Sequence, residues 1–83
     1  MNYKYLQDPS HGWVEVPVAE LRRLKIADAI SPYSYRNGHF AYLEEDCDFS
    51  LWLEAKKDAG EDFHLVEHHT NNDSIVRSFR GYA

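Results

Sequence analysis

Few short stretches dictate a backbone path as firmly as Asn37-Gly38, set between the aromatic runs "YSYR" and "HFAYL". Asn-Gly suits a two-residue type I′ turn, because both central positions need positive φ. With that turn, Arg36 faces His39, Tyr35 faces Phe40 and Tyr33 faces Tyr42. Alternation then puts Tyr33, Tyr35, Phe40 and Tyr42 on one face of the hairpin and Ser34, Arg36, His39 and Ala41 on the other. The polar face belongs in solvent, so the aromatic face is expected in the core beneath helices. Exposed aromatics of this kind stack bases in RNA-recognition sheets, but the acidic balance of the chain argues against that use.

The rest of the sequence supplies elements to pack on the hairpin. "GWVEV" alternates and reads as a strand over Trp13 to Val16. Pro17 suits the first position of a helix, with Val18, Leu21 and Leu24 on its buried side. Glu20 comes early in that helix and Arg22, Arg23 and Lys25 late, in accord with the helix dipole. A second helix follows the acidic knot, buried through Phe49, Trp52, Leu53 and Ala59. Asp46 or Asp48 is its candidate cap, and Gly60 stands where a left-handed C-terminal residue belongs. "DFHLVEHH" and "SIVRSFR" read as strands around a "TNND" turn, Leu65 facing Phe79 and Glu67 facing Arg77. The order β-α-β-β-α-β-β predicts an α+β fold. Two helices pack on one face of a mostly antiparallel sheet, a ferredoxin-like split βαβ pattern with an extra C-terminal strand. Residues 1–83 form a single domain. Residues 1–10 are either a loosely attached segment or, on Tyr3, Tyr5 and Leu6, part of the sheet.

At 83 residues there is room for one core, and six Tyr, four Phe and two Trp help to fill it. The net charge of −5 disfavours direct binding of nucleic acid and permits binding to a basic surface. One cysteine allows no internal disulfide. No apolar run nears the ~20 residues of a membrane span, and "MNYKYLQDPS" lacks the apolar core of a secretion signal. A cytoplasmic protein is expected.

The acidic knot is Glu44, Glu45, Asp46 and Asp48, with Cys47 inside it. One or two acids satisfy a helix N-terminus, at ~0.3–1 kcal/mol each. The surplus admits an acidic face for a partner, supported by Glu61 and Asp62 beyond the helix. Glu44 and Glu45 precede the cap and are the acids the helix needs least. Cys47 reads as an inert packed thiol, because neighbouring carboxylates oppose a thiolate. His64 and His68 share a strand face but stand roughly 13 Å apart at ~3.3 Å per residue, too far to grip one ion. Among His11, His39, His64, His68 and His69 no zinc-ligand spacing appears. Phosphate loops, nucleophile elbows and HExxH are also absent from the sequence. No cofactor, metal site or catalytic residue is therefore expected.

"HGWVEVP", "IADAISPYSY", "AYLEEDCD" and "DSIVRSF" together resemble small uncharacterised proteins encoded by bacteriophages, prophages and their hosts, over most of residues 11–80. Leu24-Lys25-Ile26 departs from the Leu-Gly-Ile of that pattern, which affects the end of the first helix. The resemblance brings no established activity. It implies a non-enzymatic interaction protein of phage or mobile-element origin, whose partner is a host protein or nucleoprotein complex with a basic surface. Its most concrete form is an anti-CRISPR-like inhibitor acting as a DNA mimic through Glu44, Glu45, Asp46, Asp48, Glu61 and Asp62. The alternatives are an accessory or regulatory domain and a small metal- or ligand-binding enzyme.

Overall fold

In the computed structural model, which describes residues 1–82, the N-terminal segment is an interior strand. Strand β1 (Asn2–Gln7) pairs antiparallel with β2 (Gly12–Pro17) and parallel with β5 (His64–His69). Of the two alternatives for residues 1–10, the structure takes the one in which Tyr3, Tyr5 and Leu6 join the sheet. Tyr3 and Tyr5, two residues apart, point to one face and are buried there.

Helix α1 (Val18–Arg23) follows β2, with Pro17 one place earlier than expected, ending the strand at φ −59° and ψ 133°. A 3-10 turn at Ala27–Ala29 leads to β3 (Tyr35–Asn37) and β4 (Phe40–Glu44). Helix α2 (Phe49–Asp58) crosses from β4 to β5, and a second 3-10 turn at Ile75–Ser78 precedes the short strand β6 (Arg80–Gly81). The six-stranded sheet runs β5-β1-β2-β4-β3-β6. β1 and β5 are parallel, which requires a crossover of the kind α2 provides. The fold is α+β with a mixed sheet. The expected split βαβ arrangement is replaced because β1 takes the place between β5 and β2.

The hairpin turns one residue later than expected. Asn37 faces Phe40, Arg36 faces Ala41 and Tyr35 faces Tyr42, so Gly38 and His39 are the central residues. Gly38 has φ 60°, and His39 is not among the residues of positive φ. Glycine first with an ordinary residue second is the type II′ choice. The shift moves both strands together, so Tyr35, Phe40 and Tyr42 still share a face.

That face is not the one under the helices. Ala41 and Leu43 join Tyr3, Tyr5, Val14, Val16, Val18, Leu21, Ile30 and Trp52 in the main core. Trp13, Tyr42 and Val76 form a second cluster on the opposite face, flanked by Leu6, Tyr35 and Phe79. The C-terminal segment covers it, while Tyr33 and Phe40 remain exposed. The small Ala41 and the branched Leu43 fit beneath helices, and the tyrosines fill the shallower space under a 3-10 turn. Residues Ile75–Ser78 therefore pack as a strap, and the expected pairings of Leu65 with Phe79 and Glu67 with Arg77 do not form.

Candidate functional site

The chain leaves β4 at Glu44 and makes two tight turns, Cys47 N–H and Asp48 N–H both donating to the Glu44 carbonyl at 3.2 and 3.0 Å. The four acids of this loop then separate by role. Asp48 stands at the N-cap position of α2 but makes no cap hydrogen bond, correcting the expected capping role. Its backbone is already helical (φ −104°, ψ −13°), whereas a capping side chain needs an extended residue. The buried carboxylate instead accepts from Ser31 N–H at 3.0 Å, from Ser31 Oγ at 2.7 Å and from Ser34 Oγ. Glu44 is 7% exposed, its Oε1 lies 3.2 Å from His11 Nδ1, and its Oε2 accepts from Asp46 N–H at 2.8 Å. Glu44 and Asp48 are thus withdrawn from any partner-facing set, and Glu44 is not an acid the fold can spare.

Glu45 is half-buried and accepts from the Tyr5 hydroxyl at 2.8 Å. Burial and then this bond raise the Tyr5 pKa. The contact needs glycine at position 12, where a Cβ would stand 2.3 Å from the Tyr5 hydroxyl oxygen and 2.7 Å from its ring. Asp46 is exposed. Cys47 is exposed too, which corrects the packed-thiol expectation. Its hydrogen bond to Glu44, with slight burial and the surrounding carboxylates, raises its pKa, so it stays a protonated thiol.

Glu61 and Asp62 lie past the other end of α2, about 15 Å away along a ten-residue helix. They do not extend the acidic loop. Asp62 is exposed, while Glu61 is held by Arg23 in a bidentate pair (2.5 and 2.9 Å) and by Lys56 at 2.8 Å. Arg23 and then Lys56 lower the Glu61 pKa to about 2.

Lys56 is a core residue that sequence pattern alone hardly marks. It is fully buried, donating to the Tyr3 hydroxyl and to Glu61, both at 2.8 Å. Burial alone would lower its pKa, but Glu61 and Tyr3 outweigh that and hold it raised. Glu20, also buried, accepts from the Tyr3 hydroxyl and from Trp52 Nε1 at 2.8 Å. The available signal was spacing: Lys56 falls four residues after Trp52 and shares its helix face.

Beside the acidic loop lies a surface cavity of about 300 Å³. Its walls include His11, Trp13, Tyr33, Tyr35, Asp46 and Arg77. Arg77 lies over the Trp13 ring, 5.4 Å from its centroid, and is fixed by Asp8 at 2.6 and 3.1 Å. Arg77, followed by backbone N–H groups of Ser74, His11 and Ser10, holds the buried Asp8 carboxyl well below the usual range against the cost of desolvation. Trp13 Nε1 has no acceptor among the described residues, a cost of about 1–3 kcal/mol. His11, Glu44, Glu45 and Asp46 each bring one potential ligand atom within 4.8 Å of the others. Two of those carboxylates already accept protein hydrogen bonds, Glu44 from Asp46 N–H and Glu45 from Tyr5. Through these bonds Glu45 ties the loop to β1, and Glu44 ties it to His11.

Among the described residues no helix is long and apolar enough to cross a membrane. Compared with protein-family models, with curated proteins and with solved structures, the chain gives no match in any of the three.

Proposed function

We propose that this is a small, non-enzymatic, cytoplasmic interaction protein of phage or mobile-element origin. In this reading it occupies a basic surface on a host nucleic-acid-binding complex, an anti-CRISPR-like effector inhibitor being the most concrete case. The observation that carries the proposal is the pairing of outward charge with an exposed ring. Asp46, with half-buried Glu45 behind it, borders the same cavity as Tyr33, which is 69% exposed. A carboxylate beside an accessible aromatic suits an Arg-rich surface, because guanidinium can pair with the first and stack on the second. The origin rests on the resemblance of the four segments alone.

The contact set is narrower than the sequence suggested: Glu45 and Asp46 with Tyr33, and Asp62 as a separate outlying charge. The test compares tagged wild type with a Glu45→Gln/Asp46→Lys variant on host lysate, across a salt series and with competing duplex DNA. Glutamine keeps an acceptor for Tyr5, so folding is preserved. The proposal expects a partner that the variant loses, that salt releases and that DNA displaces. A partner held equally by the variant and indifferent to DNA would favour an accessory domain instead.

A further inference from the structure

Strand β5 is the one long open edge of the sheet, the opposite edge being the two-residue β6. Its pairing with β1 is unbroken from His64 to His69, without a bulge, and "HLVEHH" contains neither Lys nor Pro. Bulges, Lys and Pro are among the devices that keep an edge from pairing with another chain, and the one carboxylate of this strand, Glu67, lies on the helix side. His64 N–H donates to the Met1 carbonyl and Thr70 N–H to the Gln7 carbonyl, both at 2.9 Å. Alternation therefore turns the main-chain groups of residues 64, 66, 68 and 70 inward and those of Leu65, Glu67 and His69 outward. On the face away from the helices, Val66 is 42% exposed.

The geometry points to this edge as a self-association surface, on which a second copy of the chain adds antiparallel about a two-fold axis through Val66. Such a pair is isologous, so each contact occurs twice. An axis at Val66 sets Val66 against its own copy and Leu65 against the copy's Glu67, and it overlaps residues 64–68. An axis at Glu67 would oppose two carboxylates directly, which is destabilising. An axis at His68 or Leu65 would overlap only three residues of the strand. Charge and overlap thus select one register. Val66 then occupies a non-hydrogen-bonded pair, with Cα atoms about 4.5 Å apart, a spacing that a disulfide tolerates.

The experiment uses the full chain with Cys47→Ser as background. Sedimentation from about 10 μM to about 1 mM should show a monomer–dimer equilibrium, and Val66→Lys should weaken it at least about tenfold. Under mild oxidation Val66→Cys should cross-link to itself at least about tenfold faster than Glu67→Cys, whose copies stand diagonally apart in this register. A wild type that stays monomeric over that range overturns the inference. So does a Val66→Lys variant that dimerises as well as wild type, or Glu67→Cys cross-linking as fast as Val66→Cys.

Discussion

Lys25 adopts φ 62°, the left-handed conformation that a Cβ resists. It ends α1 in a Schellman motif, with Lys25 N–H donating to the Arg22 carbonyl and Ile26 N–H to the Leu21 carbonyl. A helix that ends this way usually carries glycine here, and Lys25 adopts the same backbone conformation at a cost. Lys25→Gly should raise unfolding free energy by about 1 kcal/mol in urea melts, because relief of the Cβ clash exceeds the added chain entropy. Gly38→Val should have the opposite sign, costing about 1–2 kcal/mol, since φ 60° opens the hairpin turn. Lys56→Ala should cost about 3 kcal/mol, because it strips the buried cation from Glu20 and Tyr3. A loss under about 1 kcal/mol would mean that the Tyr3 and Trp52 donors suffice for Glu20.

At the scale of elements, local chemistry was legible in the sequence and long-range pairing was not. The β2 strand, both helices, the hairpin and the left-handed Gly60 follow from period, turn residues and end signals. Alternation separates the two faces of the hairpin without saying which one the helices cover. Here Ala41 and Leu43, not the tyrosines, meet the helices. The placement of β1 also escaped, since "NYKYLQ" carries a strand period but nothing that selects β5 as its parallel partner. "SIVRSF" is rich in strand formers and has the composition of a strand, yet it packs as the strap. Ser74 caps a 3-10 turn there, its side chain accepting from Val76 N–H. In the candidate site, the clustering of acids was visible, but their division between core and surface depended on Ser31, Ser34, His11 and Tyr5, which lie far off in sequence. The strap hangs on Asp8 and Arg77. Arg77→Ala should cost about 2 kcal/mol, below the cost for a wholly buried pair because Arg77 is partly exposed and backbone donors still serve Asp8. It should also expose Trp13, read as a red shift in indole emission.

For the whole molecule, Asp8 and Glu61 hold folded pKa values below those of the unfolded chain, Glu61 at about 2 against an ordinary 4.5. The unfolded state therefore binds more protons in acid. The stability these groups contribute is complete above about pH 4.5 and is lost as pH falls through the folded values. Melting temperature should decline progressively from about pH 4.5 toward pH 2, and Asp8→Asn should flatten that decline. The central claim is a division of labour within one loop: Glu44 and Asp48, with Glu45 on Tyr5, hold the fold, while the exposed Asp46 carboxylate is not needed for it and is the acid the proposed function uses. Urea unfolding of Asp48→Ala and Asp46→Lys, side by side, tests it most directly. Asp48→Ala should lose about 2–3 kcal/mol, because Ser31 N–H and the Ser31 and Ser34 hydroxyls lose their buried acceptor. Asp46→Lys should stay within about 0.5 kcal/mol of wild type, and equal losses in the two variants, or a larger one for Asp46→Lys, would contradict the account.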